Sequence, residues 1–174
     1  GVVTTPAPVK GLDGEIIQQL GHVRMPQPRN IVLFNWETGA EPGIGEDLAG
    51  PFEVLGEVTA RMHLHSRKWK RPTEFKRLTW DFETSLGDNN PHWGRWRDGM
   101  GVDAGKQKLF GRTVELIGKR LSAYGKVEER FGLIHCDLRL ANLMIDGAAV
   151  KVIDFDDCGF GWWVYDLAAA LSFI

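Results

Sequence analysis

Between Phe131 and Asp157 the chain reads FGLIHCDLRLANLMIDGAAVKVIDFDD. His135 and Asp137 follow an apolar run, and Asn142 comes five residues after the aspartate. A later apolar run ends in Asp154, with Asp156 and Asp157 just behind it. Between them, Asp146-Gly147 is flanked by Leu143-Met144-Ile145 and Val150-Lys151-Val152-Ile153, a strong hairpin signal. The hairpin folds the chain back, so Asn142 and Asp154 can sit side by side and close to Asp137. Hard oxygen ligands of this kind suit Mg²⁺, which takes one or two carboxylates and completes its shell with water and phosphate oxygens. A carboxylate left off the metal can accept a proton from a hydroxyl nucleophile. The residues fit metal-assisted transfer of a phosphoryl group to an alcohol. Each of His135, Asp137 and Asn142 alone reads equally well as a polar loop residue bonded to backbone; their ordered combination points to chemistry.

The pattern His135-x-Asp137-x4-Asn142, then Asp154 after an apolar strand, resembles the catalytic-loop and metal-loop signature of the protein-kinase-like fold. The wording here, HCDLRLANLM followed by VIDFDDCGFGWWVYDLAAAL, is similar to the aminoglycoside phosphotransferase and choline kinase group. Within that group it is closest to the stress response kinase and type II homoserine kinase branch. The resemblance implies an α+β fold: part of an N-terminal lobe of antiparallel strands, then a mainly helical C-terminal lobe carrying a catalytic β-hairpin. It implies Asp137 as catalytic base, Asn142 and Asp154 as Mg²⁺ ligands, and His135 as a brace for the loop. Asp166, in Tyr-Asp-Leu-Ala, would hold the loop from the following helix. Asp156 stands where protein kinases have Gly, which favours a small-molecule type of kinase and adds a third candidate metal ligand. Arg139 stands where protein kinases carry Lys, and its guanidinium fork suits a transferring phosphate, although a surface cation reads as well. ATP and Mg²⁺ are the implied cofactors, with a hydroxyl-bearing small molecule or protein Ser/Thr as acceptor.

Composition is compatible with this and would not reveal it. The 174 residues suggest about one domain. The hydrophobic 43% and charged 25% are ordinary for a globular chain with a packed core. A formal charge of −2 gives no electrostatic reason to expect nucleic acid or an anionic membrane. The two cysteines, Cys136 and Cys158, flank the candidate site, and no disulfide is expected in a reducing cytoplasm, the expected location. No apolar run is long enough to span a bilayer. The chain opens without Met and stops inside a helical pattern, so it is expected to be a piece truncated at both ends. Such a piece would be weakly active or inactive on its own.

The elements that would position the site follow in order. Residues 1–38 are expected to be the end of the N-terminal lobe and the hinge, and residues 39–174 the partial C-terminal lobe. Val2-Val3 and Glu15–Leu20 read as short strands, and Asn30–Trp36 (NIVLFNW) as a buried strand. The resemblance places the backbone of Asn35, Trp36 and Glu37 at the adenine. No glycine-rich phosphate loop precedes Asn35. Gly43-Ile44-Gly45 lies beyond the hinge, and Lys10 is too close to the hinge to be the phosphate-pairing lysine. Residues 39–50 read as a solvated linker. A helix is expected to start at Pro51, with Phe52, Leu55, Val58, Met62 and less cleanly Trp69 on its apolar face. His63 and His65 in it point apart, which argues against zinc. The basic stretch Arg67–Arg77 reads as a solvated helix end and loop in preference to a nucleic-acid surface.

The tryptophan-rich segment from Trp80 to Gly101 has no clear period. Its indoles would either clamp a loop or shape an acceptor pocket. Asp103 would cap a helix carrying Leu109, Leu116, Ile117, Leu121 and Tyr124, packed beneath the catalytic loop and ended by Gly125. Gly159-Phe160-Gly161 reads as a flexible turn and Trp162–Ile174 as an apolar core helix. Two other classes compete. A haloacid-dehalogenase-type phosphatase would use Asp154 as nucleophile and Asp156 as acid/base, but leaves His135, Asp137 and Asn142 unexplained. A non-catalytic pseudokinase would keep the fold as a binding module, and the joint presence of Asp137, Asn142 and Asp154 counts against it.

Overall fold

The computed structural model describes residues 3–43 and 47–172; the expectations for Val2, Ile44, Gly45, Phe173 and Ile174 lie outside them. Four short strands come first. β1 (Pro8–Val9) pairs antiparallel with β4 (Leu33–Phe34), and β2 (Gln18–Leu20) with β3 (Arg29–Ile31). The continuous buried strand expected over Asn30–Trp36 is broken at Val32, and Ile31, Leu33, Phe34 and Trp36 stay exposed. Strand propensity reflects packing on a pleated, half-buried surface, and among the described residues no second layer covers these two-stranded ladders.

Helix α1 (Ala49–Lys68) begins two residues before Pro51, which then sits in the first turn, where a missing N–H costs no hydrogen bond. Leu55 of the expected face is buried, and Phe52, Val58 and Met62 pack around the same core. Trp69 lies just past the helix and returns its N–H to the His65 carbonyl. The segment before α1 is not wholly solvated: Ala40 exchanges backbone bonds with Ile145 at 3.0 and 2.8 Å, and Pro42 is buried.

The tryptophan-rich segment folds around a short helix, α2 (Phe82–Leu86), closed by a reciprocal cap between Asp81 and Thr84. Helix α3 (Ala104–Tyr124) is capped by Asp103 and ended by Gly125, whose φ of 79° suits glycine. It does not lie beneath the catalytic loop as expected. It rests on α2, with the Phe82 ring against Gly118 and Trp96 edge-on to Phe110, and it buries none of its residues.

Strand β5 (Phe131–Ile134) leads into the candidate catalytic loop, which ends in a 3-10 turn at Leu140–Asn142. The expected hairpin follows: β6 (Leu143–Asp146) pairs with β7 (Ala149–Val152) around the two-residue loop Gly147-Ala148. Its register sets Leu143 opposite Val152, and the Ile153 N–H bonds the Asn142 carbonyl at 3.0 Å. Asn142 and Asp154 are thereby brought to the base of one hairpin. Leu138, Leu140, Leu143 and Val152 anchor the loop and hairpin in the core with Leu55.

The expected flexible turn Gly159-Phe160-Gly161 is instead strand β8 (Gly159–Trp162), paired with β5. Its glycines serve close approach. A Cβ on Gly159 would lie 2.6 Å from the Leu78 carbonyl oxygen, and one on Gly161 2.6 Å from Ile134 Cδ1. Trp162 belongs to β8, so helix α4 is Trp163–Leu171. It is one-sided where an all-apolar core helix was expected: Asp166 and Ala170 are buried, while Val164, Tyr165 and Leu167 are exposed. All four strand pairings are antiparallel. The strand that leads to Asp154, β7, ends at Val152 and is the second arm of an antiparallel hairpin, not the opening strand of a βαβ sheet that the phosphatase reading requires.

Candidate active site

Asp166 of α4, fully buried, fixes the backbone where the catalytic loop leaves β5. Its carboxylate accepts the His135 N–H at 3.2 Å and the Cys136 N–H at 2.8 Å. His63 Nε2 of α1 lies 2.7 Å from the same carboxylate. Cys136 has a φ of 73°, a left-handed conformation that costs a side-chain-bearing residue about 1–3 kcal/mol and persists only when the surroundings enforce it. The Asp166 bond is such an enforcement. Burial, and then the charge of Asp166, push the Cys136 thiol far up, which keeps it protonated and inert. Both cysteines are free thiols. His135 is buried, with Nε2 3.0 Å from the Ile153 carbonyl oxygen and Nδ1 accepting the Asp137 N–H at 3.3 Å. It ties the loop to the strand that delivers Asp154.

Asp137 is half-buried and aimed by Asn142, whose Nδ2 donates to both its carbonyl and its carboxylate at 2.8 Å. Arg139 Nε lies 3.1 Å from Asp137 Oδ2. That N–H is buried and finds no aligned acceptor, so the contact is charge on charge, not a hydrogen bond. Arg139 is therefore a partner of Asp137 and not a detached surface cation.

Asp154 and Asp156 are exposed at the mouth of the loop, and Asp154 has a φ of 63°. A hydrogen bond shared with Asp156, then partial burial, then the charges of Asp156 and Asp137 push Asp154 above the ordinary carboxylate range. Asp157 is raised too, by burial first and then by Asp156 and Asp137. Among the described residues no basic side chain pairs with Asp154 or Asp156. The Arg77 guanidinium is turned to the carbonyls of Phe155, Asp156 and Cys158. Crowded carboxylates without a counter-charge, at the base of the hairpin that also holds Asn142, could hold a divalent cation. Among the described residues no three His, Cys, Asp or Glu side chains form a metal cage.

The other expected binding residues stand apart from this cluster. Asn35 donates its N–H to the Ala7 carbonyl at 2.9 Å, and Trp36 is exposed. Glu37 forms a 3.2 Å ion pair with the buried Lys151 of β7. Burial opposes the charge on Lys151, but Glu37 and Asp146 outweigh it and hold the ammonium above its ordinary value. Lys151 Nζ also donates to the Thr38 carbonyl at 2.9 Å. With the Ala40–Ile145 bridge, these contacts lay the 37–40 segment along the catalytic hairpin.

Residues 3–174 match the phosphotransferase enzyme family, APH. The chain belongs to this family. Over 121 residues, 69% of this chain and 33% of its relative, it is 31% identical to an amicoumacin kinase of Bacillus subtilis (strain 168). The solved structure of a microcompartment-associated aminopropanol kinase superposes on 99% of this chain with a TM-score of 0.85 and 45% identity, covering 53% of that protein. An amicoumacin kinase bound to AMP-PNP and Ca²⁺ shares the fold with a TM-score of 0.69 at 19% identity, over 97% of this chain and 47% of that one. This family member thus spans from a third to about half the length of these relatives. Its fold is the α+β, protein-kinase-like one. Among its described residues no helix is long and apolar enough to cross a membrane.

Three contributors escaped the sequence reading, and a fourth was named there with its role left open. Arg77 lay inside a basic run with nothing to mark it. Lys151 sits within the second strand of the hairpin pattern and drew no notice of its own. His63 drew notice only as a zinc candidate. Trp80 is buried and donates Nε1 to the Asp157 carbonyl at 2.8 Å, so it clamps the loop, one of two roles the segment suggested.

Proposed function

We propose that the protein carrying this chain is an ATP-dependent kinase that moves the γ-phosphoryl group onto a hydroxyl of a small molecule. The observation that carries this is the pair of hydrogen bonds from Asn142 Nδ2 to Asp137, at the base of the hairpin that leads to Asp154. Asp137 orients the acceptor hydroxyl. As the acceptor oxygen bonds to phosphorus and the bond to the ADP oxygen breaks, the hydroxyl proton passes to the Asp137 carboxylate. Arg139, held beside Asp137, is placed to meet the phosphoryl oxygens. Asn142 and Asp154, with Asp156 beside them, would hold Mg²⁺, which supplies charge neutralisation on the nucleotide phosphates when bound. The backbone of Asn35–Glu37 would meet the adenine, with residues 1–38 as the end of the N-terminal lobe and hinge. His135, Asp166 and His63 hold the loop shape without touching substrate.

The 45% identity to an aminopropanol kinase favours a small amino alcohol over a protein Ser/Thr as acceptor. The test is ADP production by the intact protein with Mg-ATP and a panel of short alcohols. Turnover that needs both the metal and an alcohol, and is lost in Asp137→Ala, is expected. Release of phosphate from simple phosphate esters without ATP would contradict it.

A further inference from the structure

Lys151 is the one buried lysine among the described residues. On β7 its neighbours Val150 and Val152 face the core, so strand alternation sets Lys151 on the other face of the hairpin. There it meets the 37–40 segment. Its Nζ donates to the Thr38 carbonyl at 2.9 Å and to the Thr38 hydroxyl at 3.1 Å. It also lies 3.2 Å from Glu37 Oε2 and 3.4 Å from Asp146 Oδ2. The Thr38 hydroxyl in turn donates to Asp146 Oδ2 at 2.5 Å. We propose that Lys151 is a positioning residue for the nucleotide. It latches the 37–40 segment to the catalytic hairpin and so fixes the spacing between an adenine held at Asn35–Glu37 and a metal held at Asn142 and Asp154. The proposal deepens the kinase reading and rests on it.

The latch holds for an electrostatic reason. A buried ammonium is costly unless it is paired and hydrogen-bonded. Glu37 and Thr38 supply all of its contacts but one, and the remaining partner, Asp146, is the most distant. Lifting the segment off the hairpin would strand the charge. A lysine on a solvated strand face would impose no such condition.

The backbone closes the same joint. Ala40 donates its N–H to the Ile145 carbonyl at 3.0 Å, and Ile145 returns one at 2.8 Å. Between this bridge and Thr38 stands Gly39, with a φ of 126°, a conformation that glycine adopts without strain. A Cβ there would lie 2.9 Å from the Ile145 carbonyl oxygen and 3.3 Å from Met144 Cβ. The absence of a side chain lets the segment come within reach of the ammonium.

The hairpin carries the constraint to the metal side. Its pairing runs unbroken from Asp146–Ala149 at the tip to Leu143–Val152 at the base, where Asn142 precedes one arm and Asp154 follows the other. Asn35–Glu37 runs directly into the latched residues at the other end. A nucleotide gripped at both ends gains most when the two grips are already at the right spacing.

The test is calorimetry of the intact protein with Mg-ATP and with Mg-tripolyphosphate, which keeps the metal and phosphates and has no adenine. Lys151→Met removes the charge and keeps a side chain of similar reach. It is expected to weaken Mg-ATP by about 5- to 150-fold, the range of a typical coupling between two sites, and to leave Mg-tripolyphosphate unchanged. Gly39→Ala keeps the lysine but obstructs the approach of the segment, and should show the same split, so the test stands even if Lys151→Met does not fold. Equal losses for the two ligands, or undiminished Mg-ATP affinity in both variants, overturn the latch while leaving a kinase in place. No binding of Mg-ATP by the wild type overturns the kinase reading and the latch with it.

Discussion

Helix α3 and the catalytic loop are built on opposite principles. Over 21 residues α3 buries no side chain. From Ile134 to Leu143 the loop buries seven of its ten residues, including the polar His135 and Asn142. The helix takes its shape from local terms: helix-forming residues, an Asp103 cap and a glycine stop. The loop has no local preference for its path and includes a non-glycine residue at positive φ. Its geometry is imposed from outside by Asp166, His135, Asn142 and the leucines between the site residues. The proposed site sits where the constraint is tertiary, so substitutions of similar size should have very different consequences in the two regions.

The largest contrast is expected between Asp166→Ala and Leu116→Ala. The first strands two buried N–H groups and His63, and should cost about 3–5 kcal/mol. The second removes a half-exposed α3 side chain and should cost under about 1 kcal/mol. Urea unfolding of the intact protein measures both, and similar losses would dissolve the distinction. Asp137→Ala separates chemistry from scaffold within the loop. Phosphoryl transfer should fall by about 10²–10⁴-fold while stability and nucleotide affinity hold, as read by single-turnover assay and calorimetry.

Glycine offers a finer probe. A Cβ on Gly132 in β5 would come within 2.1 Å of the Trp163 ring, so Gly132→Ala should overpack the site's support and cost about 1–3 kcal/mol. In α3 the nearest atom to a Cβ on Gly111 is 3.8 Å away, so Gly111→Ala should be neutral or stabilise by up to about 1 kcal/mol. Paired thermal melts decide whether the signs differ.

The smallest effect is one of sign with pH. Asp154 is raised, chiefly by Asp156. The folded state then binds its proton more tightly than the unfolded chain, whose Asp titrates near about 3.9, and stability falls as pH rises from there through the raised folded value. Glu115 of α3 is lowered by Lys119. Its contribution is present above the unfolded value of about 4.3 and is lost as pH falls through the folded one. At neutral pH without metal, Asp154→Asn should therefore melt slightly higher than wild type and Glu115→Gln slightly lower. Added Mg²⁺ should raise the wild-type midpoint and leave Asp154→Asn unmoved.

The same division sets what the sequence discloses. The hairpin, the caps of α3 and the apolar face of α1 follow from local rules and were legible. So was the proximity of Asn142 to Asp154, because an Asp-Gly hairpin dictates it. The strand Gly159–Trp162 was not, because its glycines answer to Trp80 and Ile134 across the sheet and not to their neighbours in sequence. The exposed strand halves around Val32 misled for the converse reason: β-branched composition speaks of packing, and among the described residues no layer packs there. Among the proposed site residues, the closeness of Asn142 to Asp137 was readable from order and type. Arg77 and Lys151 act through contacts 78 or more residues away, which no spacing announces.

The most direct measurement is calorimetry of ATP binding to the intact protein, with Mg²⁺ and with EDTA, for the wild type and Asp154→Ala. Binding that needs the metal and is weakened by Asp154→Ala, with Asp137→Ala unaffected, is the predicted result. Nucleotide binding indifferent to both the metal and Asp154, or no nucleotide binding at all, would contradict the assignment of this hairpin as a kinase metal site.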